Sequence, residues 1–213
     1  MVREEIEIEG RKFLVDRPTR TEHLVDHPAV RSAFAADEYL PYWADLWPAA
    51  RMLARVILRE PWPPRTAALE LGCGLGLPGL AALAAGLGVT FSDYDPTALR
   101  FAAANARLNG FANFTTLQFD WRQPPADLLA PVILASDLVY ERRNLEPLTA
   151  LIGHVLAPGG LCLLTDQDRV PREAMAESLG SNGLTFTTQV LRTTDGGQGR
   201  FKGTLYRIAR CVV

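Results

Sequence analysis

From Glu4 to Val15 charged and apolar residues alternate on either side of Gly10-Arg11, a period of two that predicts a β-hairpin with one solvated face. Pro28 to Ala36 has the spacing of a short helix. Pro48 to Arg59 reads as an amphipathic helix with Asp45 near its start, and Pro61-Trp-Pro-Pro64 ends it, because proline lacks the N–H a helix needs. Beyond that point strand and helix patterns exchange regularly: strand 67–71, helix 78–86, strand 88–93, helix 96–109, strand 114–119, strand 132–137, helix 144–156, strand 160–165, helix 171–180, and strands near 184–192 and 203–211. Such alternation predicts an α/β fold, a mostly parallel seven-stranded sheet with helices on both faces. The last two strands, joined by Asp195-Gly-Gly-Gln-Gly199, should form an antiparallel pair. No repeat or linker divides the chain, so residues 1–40 read as a hairpin-and-helix accessory and 41–213 as one globular unit.

The first predicted strand runs into Glu70-Leu-Gly72-Cys-Gly74-Leu-Gly76, with Pro78 just behind it. This is a strand, a glycine loop and a helix start, and it predicts a nucleotide pocket: the loop admits a ligand close to the backbone, and the helix N-terminus offers unpaired N–H groups. Gly74-Leu-Gly76-Leu-Pro-Gly79 also matches the dinucleotide pattern G-x-G-x-x-G, a match that says little alone. Carboxylates at the neighbouring strand tips say more. Asp93 ends the second strand, placed to accept from both ribose hydroxyls, in charge-assisted bonds worth roughly 1.5–3 kcal/mol each. Asp120-Trp121 ends the third, an acid for an adenine amino group beside an indole for the ring face. Glu70 adds a charge where a dinucleotide fold wants an apolar residue. An acid-rich loop suits the cationic S-adenosylmethionine and repels a pyrophosphate, which favours that donor over a nicotinamide dinucleotide.

Bulk properties are those of one enzyme domain. The 213 residues suffice for a sizeable core. A net charge of −2 leaves no electrostatic footprint for nucleic acid. No apolar run reaches membrane-spanning length and Met1-Val-Arg-Glu-Glu does not open a signal peptide, so a cytoplasmic protein without membrane partners is expected. Cys73, Cys162 and Cys211 are odd in number and far apart, as reduced thiols are, and Cys73 reads as a small filler of the loop.

Chemistry belongs at the carboxyl ends of the strands, beside the switch in strand order. The fourth strand ends there as Ser136-Asp137-Leu-Val-Tyr140, a D-x-x-Y run whose plainer reading is a loop-capping acid and a packed tyrosine. Ahead of the core stands Pro41-Tyr-Trp43-Ala-Asp-Leu-Trp47-Pro48, with two indoles four residues apart.

Together the glycine loop, acidic tips, D-x-x-Y run and tryptophan run resemble the class I, seven-strand S-adenosylmethionine-dependent methyltransferases of methyltransferase family 16, over roughly Pro41 to Asp166. That group includes protein-lysine methyltransferases, and Pro-Tyr-Trp-Ala-x-x-Trp-Pro is similar to those acting on the electron-transfer flavoprotein β subunit. Two glycines commonly follow the Trp-Pro there, where this chain has Ala49 and Ala50. The resemblance implies a Rossmann-like fold, S-adenosylmethionine as cofactor and a protein substrate. It also implies that Trp47 covers the methionine end, that Gly72, Gly74 and Gly76 line the loop, and that Glu70 and Ser136 border the cofactor. Asp93 would take the ribose, Asp120 and Trp121 the adenine, and Asp137 and Tyr140 the acceptor amine.

Two rivals stand beside lysine methylation: methylation of a small amine or other metabolite, and a nicotinamide-linked or non-catalytic nucleotide binder. His23 and His27 are four apart but precede Pro28, so a turn fits better than a metal site. His154 reads as a surface or capping residue near a helix end; Asp166 and Asp168, after the fifth strand, read as solvated loop acids, with a place bordering the acceptor cleft as the alternative. The segment from Arg192 to Lys202 is a candidate rim for the acceptor cleft.

Overall fold

The computed structural model describes residues 1–19, 41–194 and 199–211. The helix expected over 28–36, His23, His27 and most of the turn 195–199 lie outside the described residues.

Strands β1 (Val2–Ile8) and β2 (Arg11–Arg17) form the expected hairpin, antiparallel and in register from Val2 against Arg17 to Ile8 against Arg11. The remaining elements are α1 (Pro48–Arg59), β3 (Ala67–Leu71), α2 (Leu77–Ala84), β4 (Gly88–Asp93), α3 (Pro96–Leu108), β5 (Phe114–Gln118), β6 (Ala130–Ser136), α4 (Leu145–Val155), β7 (Leu156–Asp166), α5 (Arg172–Ser181), β8 (Leu184–Thr194) and β9 (Arg200–Arg210). They build a seven-stranded sheet in the order β5-β4-β3-β6-β7-β9-β8. All pairs are parallel except β7 with β9 and β8 with β9. The chain moves outward through β3, β4 and β5, then returns to lay β6 on the other side of β3. That reversal opens a crevice at the carboxyl ends of β3 and β6, where α/β sheets take ligands.

Both faces of the central strands are apolar, and the alternation along each strand sorts its residues between two cores. Val132, Leu134 and Leu163 pack with α1, α2 and α3 on one face, while Ile133, Ala135, Cys162 and Leu164 pack with α4 and α5 on the other. Each fully buried Leu or Ile contributes about 1.5–3 kcal/mol over its exposed state. The hairpin joins the first core through Ile6, Ile8, Phe13 and Val15, and its charged positions face outward or reach α1, as Glu4 does to Arg51 at 2.7 Å. Its outer edge is closed by side chains. Asn109 accepts from Leu14 N–H at 2.9 Å and donates back to Leu14 at 2.7 Å, and Asn105 treats Asp16 the same way at 2.8 and 3.2 Å. These two amides on α3 imitate a neighbouring strand and leave no bare edge there.

Candidate active site

A cleft of about 630 Å³ occupies the crevice between β3 and β6. It has a size common for small-molecule sites. One wall is the loop between β3 and α2. Gly74 holds φ +51° there, and a Cβ on it would stand 3.1 Å from the carbonyl oxygen of Trp43. Gly74 N–H donates to Asp93 Oδ2 at 3.0 Å, while Asp95 N–H donates to Oδ1 at 3.0 Å. The side chain of Asp95 in turn caps α3 by accepting from Thr97 N–H at 2.6 Å. Burial pushes the Asp93 carboxyl up to about 6, against the pull of those backbone donors. The acid is therefore placed beside the loop with a backbone N–H on each oxygen.

Glu70 takes a different place from the one its sequence position suggests. Its side chain is buried behind the loop, outside the cleft wall, and Oε2 accepts from Gly79 N–H at 3.0 Å in the first turn of α2. Gly79 has no room for a Cβ, which would fall 2.4 Å from that same oxygen. Burial raises the Glu70 pKa well above the carboxylate range. Residues alternate sides along β3, and position 70 points into the helix layer while the loop beyond it turns to the cleft.

At the end of β5, Trp121 and Asp120 both line the cleft, and Trp121 lies against Gly72. The Asp120 carboxylate is forked by Arg122, with contacts of 2.7 to 3.0 Å that lower its pKa. Its charge is thus already compensated inside the protein.

Ser136, Asp137 and Tyr140 line the opposite end with Trp47. Asp137 turns the chain at φ +58°, a strained backbone for a non-glycine residue that is held by its N–H donating to Thr165 O at 2.8 Å. Its side chain is 2% exposed, and its oxygens accept from Arg169 at 2.7 and 3.2 Å and from Gln167 at 2.6 Å. The Arg169 guanidinium also stands 5.3 Å from the centre of the Trp47 ring, within cation–π range. Tyr42 completes an aromatic corner, 6.0 Å from the Trp47 ring and 5.1 Å from that of Tyr140, and its carbonyl accepts from Trp47 Nε1 at 2.8 Å. Tyr42 and Arg169 are among the cleft residues that sequence reasoning left without a role. Tyr42 sits inside the quoted tryptophan run and was open to notice; Arg169 carries no motif.

Cys73 is buried in the loop and burial raises its thiol pKa, consistent with a filler. His154 is exposed in the last turn of α4. Asp166 is not a solvated loop acid: it is 2% exposed, and burial with the nearby Asp137 charge lifts it to about 6. Thr193 and Thr194, from the segment expected at the rim, lie in a separate depression beside β1. Among the described residues no cluster of metal-ligating side chains is present, and no helix is long and apolar enough to cross a membrane.

A crevice at the strand-order switch, a glycine loop, an acid on the second parallel strand and an antiparallel β7-β9-β8 end define a class I S-adenosylmethionine-dependent methyltransferase fold. A crystal structure of ribosomal protein L11 methylase from Lactobacillus delbrueckii subsp. bulgaricus has the same fold, with TM-score 0.61 and 19% identity over 77% of this chain and 79% of that one. Residues 43–178, more than half of the chain, match the family described as lysine methyltransferase, and the protein belongs to that family. Similar curated proteins include the histone-arginine methyltransferase METTL23 of Homo sapiens, 32% identical over 114 residues. The electron transfer flavoprotein beta subunit lysine methyltransferase of Danio rerio is 39% identical over 74 residues. The matches take in 50% and 34% of this chain and 60% and 29% of those relatives, so the chain spans less than two thirds of their length.

The cleft fits the class's methyl donor, S-adenosylmethionine. Asp93 is an acid beside a loop whose glycines clear the backbone, and Trp121 presents a ring to the same space. Asp120 and Asp137, on the same cleft, are paired with Arg122 and Arg169.

Proposed function

We propose that the protein is an S-adenosylmethionine-dependent N-methyltransferase acting on a lysine side chain of a protein. The observation that carries this reading is the placement of Asp137 and Tyr140 in the same cleft as the glycine loop, after β6 and so on the other side of β3 from Asp93, with Trp47 and Tyr42 lining the same cleft. The named activities of the relatives, on histone and flavoprotein targets, support a protein acceptor. In this reading Asp93 holds the ribose, Trp121 and Asp120 border the adenine, Gly72, Gly74 and Gly76 let the donor approach the backbone, and Ser136 and Trp47 border its methionine end.

When bound, the donor supplies a methyl on a sulfonium, which a neutral amine takes as the carbon–sulfur bond breaks and S-adenosylhomocysteine leaves. A lysine at pH 7 is almost wholly protonated, and freeing its lone pair costs on the order of 4–5 kcal/mol. Asp137 attracts the ammonium, then holds a remaining N–H and so fixes the direction of the lone pair. Tyr140, 37% exposed at the mouth, offers a ring face or a hydroxyl to the incoming side chain. No strong base lies in this reading, and the proton passes to water as the amine enters.

Incubating the protein with radiolabelled S-adenosylmethionine and host lysate, then sorting label by mass, tests the reading. Label on lysines of one or a few proteins is expected. Label confined to small molecules would assign the cleft to metabolite methylation instead.

A further inference from the structure

The acceptor end of the cleft already contains a cation belonging to the protein. Arg169 makes a two-pronged contact with the buried Asp137 carboxylate and lies over the Trp47 indole, while remaining one-third exposed to the cleft. Those are the contacts that a substrate ammonium or guanidinium would need: N–H donors to both oxygens and a ring face for the charge.

A second berth lies in the same short loop. Asp166 Oδ2 and Asp168 Oδ1 are buried, and neither has a hydrogen-bond partner among the described residues. The other oxygens are in use: Asp166 Oδ1 accepts from Asp168 N–H at 2.7 Å, and Asp168 Oδ2 from Arg172 at 3.1 Å. Two buried, unpaired carboxylate oxygens in the loop that carries Arg169 are costly, and Asp166 already feels both the Arg169 and Asp137 charges.

We propose that Arg169 is a specificity-determining residue that occupies the acceptor position until an incoming cationic side chain displaces it, whereupon its guanidinium moves to the open oxygens of Asp166 and Asp168. The proposal rests on the reading of Asp137 as the acceptor anchor. Exchange keeps Asp137 neutralised at every stage, so the pocket is never left as a bare buried anion. It also means that one cation replaces another with little net gain at Asp137. Affinity for the acceptor must then come from contacts outside the cage, which a protein-borne cation brings and a free amine does not.

The test is calorimetric titration of methylguanidinium into S-adenosylhomocysteine-loaded protein, comparing the parent with Arg169→Ala. The vacated cage of the variant should bind the probe at least about tenfold more tightly than the parent does, and Asp137→Asn added to it should abolish the gain. Arg169→Gln, which keeps bulk and hydrogen bonding without the charge, should show a smaller gain in the same direction and serves if the alanine variant fails to fold. Folded, S-adenosylhomocysteine-binding variants that bind the probe no better than the parent would overturn the proposal and leave Arg169 as a fixed clamp. The readout involves neither an acceptor protein nor methyl transfer, so it can fail while the lysine assignment stands, and the reverse.

Discussion

Asn105 donates from its side-chain amide to the carbonyl of Leu75 at 3.0 Å, in the middle of the glycine loop. The same wholly buried side chain pairs with both backbone groups of Asp16 on β2. One amide thereby ties the N-terminal hairpin, α3 and the wall of the cleft together, and the hairpin is part of what holds the loop in place.

Replacing it shows the link. Asn105→Leu keeps the volume and strands three backbone groups, the buried Leu75 carbonyl and the part-buried N–H and carbonyl of Asp16, at about 1–3 kcal/mol each where no water reaches them. A total near 3 kcal/mol corresponds to a Tm lower by roughly 6–12 °C in a domain of this size. S-adenosylhomocysteine affinity should fall as well, whereas Asn109→Leu, which bonds the hairpin but not the loop, should lower Tm and spare affinity. Equal effects of the two variants on binding would separate the hairpin from the loop.

Asp93 makes donor binding depend on pH. Burial lifts its folded pKa from 3.8 to about 6. A raised acid stabilises the fold fully below its unfolded value and loses that contribution as pH rises through the folded one. In the proposed reading ribose hydroxyls bond the ionised form, so a ligand restores stability above that window and must expel a proton within it. Affinity for S-adenosylhomocysteine should therefore weaken from about pH 7 to about pH 5, approaching tenfold per unit at the low end. Asp93→Ala should lose at least about tenfold at neutral pH and flatten the profile. Asp166→Asn, also removing a group near 6 but outside the cleft wall, should leave the slope in place. Calorimetry across that range reads all three.

Gly74→Ala addresses the loop from the other side. The new methyl meets the Trp43 carbonyl at 3.1 Å in a left-handed backbone, which costs about 1–2 kcal/mol before any clash is relieved. Because Gly74 N–H is one of the donors to Asp93, a shift of the loop also releases that carboxylate. Donor binding should drop at least about tenfold, with a smaller loss in Tm than the Asn105 variant shows. Unchanged binding would mean the loop yields without touching Asp93.

The sheet was legible because the central strands are apolar on both faces and every connection but that from Asp137 to Asn144 carries or adjoins glycine or proline, so period and punctuation agree over most of Ala67 to Arg210. The cleft was legible where chemistry sits at strand tips: Asp93, Asp120, Trp121, Ser136 and Asp137 all face it. What sequence spacing did not convey was compensation. Asp120 has Arg122 two residues on, and Asp137 has Arg169 more than thirty residues on, so a tally of acids overstated the charge of the site. Glu70 fell to the same difficulty, since only the direction of β3 decides whether its carboxyl meets a ligand or Gly79 N–H.

Asp137 separates binding from turnover. In the proposed reading its carboxylate serves the acceptor; it follows β6, on the other side of β3 from Asp93, and its backbone is fixed by Thr165 O rather than by its own side chain. Asp137→Asn preserves shape and leaves the N–H bond to Thr165, so S-adenosylhomocysteine should bind within about threefold of the parent, a difference under 1 kcal/mol. The neutral amide neither attracts an ammonium nor accepts from it at both atoms, and a lost charge-assisted contact at a reacting group is worth about 1.5–3 kcal/mol or more. Methyl transfer to the labelled acceptor should fall by at least about tenfold to a hundredfold in single-turnover measurements. Loss of donor binding in step with turnover would instead place Asp137 at the cofactor and remove it from the acceptor.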